Sequence, residues 1–70
     1  MSDFNTGLPS TRQIQTYIKD RQEVEIKLST DDLIIGKIMW QDNHCLCLLD
    51  HYEQSTLVWM QAIVYLKAKA

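Results

Sequence analysis

The stretch Leu57–Leu66, LVWMQAIVYL, is apolar except at Gln61. An unbroken apolar run rich in β-branched and aromatic residues predicts a buried strand. A buried amide must find a hydrogen-bond partner or face water, so Gln61 divides the run. The reading is two short strands, TLVWM (56–60) and AIVYLK (62–67), split near the glutamine.

Upstream, Val24, Ile26 and Leu28 alternate with Glu23, Glu25 and Lys27, the period of a half-buried strand. STDD (29–32) supplies a turn, and Leu33 to Trp40 forms a longer strand with Gly36 inside it. Glycine in a strand interior marks a bend or a bulge, so the sheet is expected to curve there. QDN (41–43) turns the chain into a strand from His44 to Leu49, and DHYEQS (50–55) forms a more exposed connection. Ahead of the strands, LPSTRQIQTYIKDRQ (8–22) predicts a helix, with Ser10 and Gln13 at the spacing of a capping box. Ile14, Tyr17 and Ile18 give it a single apolar stripe, which needs a sheet to lie on. One helix followed by five short strands predicts a mainly β fold, a small, partly open barrel whose open edge pairs with something.

The 70 residues make one domain, preceded by a flexible lead over 1–9 and ending in a short tail over 68–70. A chain this short buries only roughly 60% of the surface it exposes when unfolded, which favours oligomerisation as a source of stability. Hydrophobic residues at 46%, with two glycines and one proline, specify a folded chain. No apolar stretch reaches the roughly 18 residues of a membrane span, and the first ten residues lack a basic-then-apolar leader pattern. A cytoplasmic location is expected, with Cys45 and Cys47 reduced and acting as small hydrophobes. The two cysteines share one face of their strand while His44 points to the other, so no metal cage is expected.

The net charge of −2 is uneven: residues 1–22 carry +1, residues 23–56 carry −5 and residues 57–70 carry +2. Nucleic-acid binding normally leaves a broad basic footprint, so any RNA site here is local and its affinity modest. No glycine-rich phosphate loop or nucleophile signature is present, and an enzyme is not expected.

The helix-first order, the segment VEIKLSTDDLIIGKIMWQD with Gly36 six residues before Asp42, and the final pair LVWM and QAIVYL resemble the Sm-like fold. More specifically, the chain is similar to the bacterial Hfq proteins, above all the short ones of cyanobacteria, over residues 10 to 66. That resemblance implies a helix stacked on a strongly bent five-stranded antiparallel sheet. It also implies a six-membered ring in which the fourth strand of one subunit pairs with the fifth of the next. An RNA chaperone acting in post-transcriptional regulation is implied, binding single-stranded U-rich RNA at the pore on the helix-bearing proximal face and A-rich RNA on the distal face.

Carried over by position, the proximal pocket falls on Asn43, His44, Trp59 and Gln61, the rim on Lys19 and Arg21, and the distal face on Lys27 and Gln54. Where the family reads aromatic-Lys-His-Ala-Ile, this chain reads Trp59-Met60-Gln61-Ala62-Ile63, lacking both the lysine and the histidine. Weakened RNA sites are therefore expected. A ring that mainly docks a protein partner on its proximal face, with the links to type IV pili and motility that the cyanobacterial resemblance suggests, is the alternative. No cofactor is implied by either reading.

Overall fold

The computed structural model describes residues 7–69; most of the expected 1–9 lead lies outside them. Helix α1 spans Pro9–Asp20, and strands β1 (Glu23–Leu28), β2 (Leu33–Gln41), β3 (Cys45–Leu49), β4 (Ser55–Trp59) and β5 (Ile63–Ala68) follow, with a 3-10 turn at Met60–Ala62 between the last two. No helix among the described residues is long and apolar enough to cross a membrane.

The capping box does not form. Pro9 occupies the start of the helix, Leu8 is the extended residue before it, and no side chain caps the first turn. Proline presets the helical backbone angle and lacks the N–H that would otherwise need a partner. The helix therefore begins early enough to place Ser10 inside it. At the other end Arg21 adopts a left-handed conformation (φ 53°), its N–H reaching Ile18 O at 3.2 Å while Gln22 N–H reaches Tyr17 O at 3.0 Å. These bonds satisfy carbonyls that the last turn leaves free.

The helix stripe packs as its spacing predicts. Ile14 is buried, with Tyr17 and Ile18 packed around it, against Val24, Ile26, Ile38, Leu46, Leu48 and Val58. Val24, Ile26 and Leu46 are fully inaccessible, and each such side chain contributes about 1.5–3 kcal/mol of hydrophobic stabilisation. On β3 the cysteines alternating with Leu46 and Leu48 are also buried, so this strand is covered on both faces.

The sheet is antiparallel, in the order β4-β3-β2-β1-β5. Consecutive strands β4 and β5 thus stand at opposite edges, joined only by the three residues Met60–Ala62. Adjacent strands lie about 4.8 Å apart, so a flat sheet of five would separate its edges by about 19 Å. A 3-10 turn rises about 2 Å per residue, far too little to span that gap. The sheet must curl until the two edges approach each other at this turn.

Gly36 sits where the strands come closest, with no break in pairing to β1. Its pairing with β1 runs in unbroken register (Val24↔Gly36), whereas the irregularity in β2 lies between Ile38 and Trp40, opposite β3. A Cβ at Gly36 would run into the carbonyl oxygen of Leu49 and meet the Leu48 side chain at 3.0 Å. Glycine is required because two backbones cross closely. Since the obstacle is backbone, Gly36→Ala should lower the unfolding free energy by about 2–3 kcal/mol, measurable by urea denaturation with tryptophan fluorescence as the signal.

Candidate functional site

The tight turn from β2 into β3 is built on Asp42. Its Oδ1 accepts the backbone N–H of His44 at 2.8 Å and of Cys45 at 2.9 Å, while its own N–H donates to Cys45 O at 2.9 Å. Aspartate is suited to this role because its short side chain reaches N–H groups two and three residues ahead. The bond from the His44 amide, then that from Cys45, holds the Asp42 carboxyl below the ordinary aspartate value of 3.8. Burial, with Asp42 beside it, pushes the Cys45 thiol up and keeps it protonated.

The 3-10 turn is fastened to this first turn and to a second one. Met60 N–H donates to His44 O at 2.8 Å, and Ser29 N–H, in the turn after β1, donates to Ala62 O at 2.7 Å. Gln61 lies between these two anchors and is exposed. Asn43, His44, Trp59, Met60 and Gln61 consequently line one cavity of about 220 Å³. All four residues expected at the proximal site meet there. Met60, not among the expected site residues, joins them; it is half-buried and packs against the core while also lining the cavity.

The lining offers an indole, an imidazole, two carboxamides and a thioether. Flat rings can stack a nucleobase and carboxamides can hydrogen-bond its edge. Among the described residues, no lysine, arginine or carboxylate lines this cavity.

The other expected residues lie apart. Lys19 and Arg21 are exposed at the end of α1. Arg21 lines a second cavity of about 330 Å³ with Ile18, Lys37, Ile38, Met39 and Leu49, where Lys37 and Met39 are residues the sequence did not single out. Gln54 closes the β3–β4 turn, its N–H donating to Asp50 Oδ1 at 3.0 Å. Lys27 is committed within the chain: its Nζ lies 2.8 Å from Asp31 Oδ1 and 3.2 Å from the Asp31 carbonyl.

A similar cluster joins β1 to β5 on the face away from the core. Tyr65 donates its hydroxyl hydrogen to Glu25 Oε2 at 3.0 Å, and Lys67 Nζ lies 3.7 Å from the same oxygen and 5.4 Å from the Tyr65 ring centre. That hydrogen bond, with burial, raises the Tyr65 pKa. Among the described residues, no group of three or more histidine, cysteine, aspartate or glutamate side chains is arranged to hold a metal ion.

Fold and site together define an Sm-like protein: an N-terminal helix on an open, five-stranded antiparallel sheet, with an aromatic and amide-lined pocket where two turns meet. The sequence model of the family described as "Hfq related" matches residues 8–68, and the chain belongs to that family. An Hfq protein from Anabaena sp., solved as a crystal structure, is similar at 49% identity with a TM-score of 0.82, covering 90% of this chain and 100% of that one. A second crystal structure, of the pleiotropic translational regulator Hfq, shares the fold at 15% identity and a TM-score of 0.80, covering 93% and 96% of the two chains. No curated protein matches the chain.

Because the folded pKa of Asp42 lies below its unfolded value, its charge stabilises the fold above about pH 3.8 and ceases to do so as pH falls through the folded value. Asp42→Asn keeps an acceptor oxygen but carries no charge. We expect this variant to show a smaller drop in urea midpoint than the wild type between about pH 5 and pH 2, a difference read directly from paired denaturation curves.

Proposed function

We propose that the protein assembles into an RNA-binding ring of the Hfq type, a non-enzymatic chaperone that holds U-rich single-stranded segments at the pocket formed by Asn43, His44, Trp59 and Gln61. The observation that carries this reading is the convergence of these four residues, from separate segments of the chain, on one cavity. Ring assembly is supported by the two free sheet edges. Among the described residues, strand β4 pairs only with β3, and β5 only with β1, while Leu57 (56% exposed) and Trp59 (60%) on β4 and Val64 (64%) on β5 remain exposed in the single chain. Free backbone groups beside apolar side chains are aggregation-prone unless another strand covers them. Closing β4 of one subunit against β5 of the next removes both edges at once, and we assign the ring six members on the family resemblance.

The absence of cations from the pocket lining sets the character of binding. Stacking contributes about 1–3 kcal/mol per base, and few phosphates are neutralised, so affinity depends weakly on salt. A U-rich oligonucleotide should bind the ring at low salt with a shallow dependence of log K on log salt, and an A-rich one more weakly. Gln61→Leu should weaken U-rich binding while leaving the oligomer mass unchanged; Trp59→Ala should weaken both binding and assembly. Titrations at two salt concentrations, with native mass measured alongside, check these outcomes, and no binding of either RNA at low salt overturns the proposal.

The internal pairing of Lys27 with Asp31 and of Lys67 with Glu25 favours a second reading, in which the ring is chiefly a platform for a protein. A partner retained on the immobilised ring after nuclease treatment, and released by His44→Ala or Lys19→Ala, is the expected outcome. Loss of every bound protein on nuclease treatment excludes it.

A further inference from the structure

We propose that a groove across β2 and β3, beside the end of α1, binds an extended segment of a partner protein that is apolar in its middle, acidic at one end and basic at the other; this rests on the reading of the protein as a platform. The cavity of about 330 Å³ that holds Arg21 and Met39 adjoins another of about 300 Å³ that holds Glu23, Asp50, His51 and Glu53. Lys37 and Leu49, directly opposite each other on β2 and β3, line both, so the two hollows form one groove. None of the lining residues lies on β4 or β5, and closing a ring along those strands leaves the groove open.

The groove is polarised along its length. At the α1 end, Arg21 and Lys37 stand over Ile18, Ile38, Met39 and Leu49, and among the described residues no carboxylate lines that end. Neither cation forms an ion pair among the described residues, whereas Lys27 and Lys67 are both engaged by acids. At the other end Glu23, Asp50 and Glu53 bring three carboxylates. Asp50 Oδ1 fixes the turn there by accepting the N–H groups of Tyr52 at 2.9 Å and Gln54 at 3.0 Å, and Glu23 lies 3.3 Å from His51. Between the ends Met39 is 51% exposed, an apolar side chain that gains from being covered. A ligand filling the groove has to meet cations at one end and carboxylates at the other while shielding the apolar middle. An extended peptide does this with successive side chains. A polyanion suits the groove poorly, because its phosphates would face the three carboxylates, and the α1 end has no aromatic side chain in its lining on which a base could stack.

The probes are two dye-labelled peptides with glutamates at one end, lysines at the other and leucines between, identical in composition and reversed in sequence. One of them should bind the wild-type protein at low salt, read by fluorescence anisotropy. Arg21→Glu should weaken that peptide about fivefold, and exchanging the peptide's glutamates for lysines should restore the affinity. Glu53→Lys should weaken it by a similar factor, with restoration when the peptide's lysines become glutamates. Met39→Ser should weaken it about tenfold, and neither exchange should rescue it. All three positions are exposed, so native mass and urea midpoint should stay close to those of the wild type. No binding of either peptide, or binding that the charge reversals at Arg21 and Glu53 leave unchanged, overturns the groove. Displacement of the bound peptide by oligouridine also overturns it, by giving this surface to RNA. A protein partner retained after nuclease treatment and still held by Arg21→Glu and Met39→Ser overturns the groove while leaving the platform reading intact. Loss of every bound protein on nuclease treatment overturns the platform reading and the groove with it.

Discussion

Three residues, Met60, Gln61 and Ala62, join strands at opposite edges of a five-stranded sheet, and much of the structure follows from that constraint. So short a connection forces the sheet to curl, which encloses Val24, Ile26, Leu46 and Val58 beneath α1 without a second sheet. It also requires both ends of the turn to be fastened, and the bonds from Met60 to His44 and from Ser29 to Ala62 do so with backbone groups alone. Because no side chain is needed for fastening, Gln61 is left free to face outward. The turn that closes the fold therefore presents an exposed amide at the cavity. A change of side chain at Gln61 leaves these bonds in place, whereas a proline at Met60 would remove a donor that the curl depends on.

Much of this architecture was legible in the sequence because its signals are local. The alternation of Val24, Ile26 and Leu28, the stripe of Ile14, Tyr17 and Ile18, and the break at Gln61 each appear within a few residues, and the elements follow them. Features depending on distant parts of the chain were less accessible. Gly36 is needed because the Leu49 backbone crosses it, and nothing near Gly36 reveals that neighbour. The bulge after Ile38 likewise reflects how β2 must bend against β3, not a residue type. Ser10 and Gln13 had the spacing of a cap, but Pro9 fixed the helix start before them. The pocket residues were identified through family resemblance; their convergence depends on the bond between Met60 and His44, a contact between segments that no single motif contains.

The arrangement of charge bears on the nucleic-acid site proposed for this acidic chain. Lys27 and Lys67 face acids on their own or neighbouring strands, so the outer face of β1 and β5 is balanced and offers little to a phosphate. Lys27 and Asp31 are four residues apart and their proximity was readable, whereas Glu25, Tyr65 and Lys67 meet only because β1 and β5 pair across 40 residues of sequence. The pocket differs from both clusters in having no resident ion pair in its lining. A neutral, partly aromatic cavity loses less on releasing its own water than one lined by charges, so base stacking and amide contacts there are not offset by the desolvation of a lysine. Specificity in such a site comes from the shape and edge chemistry of the base.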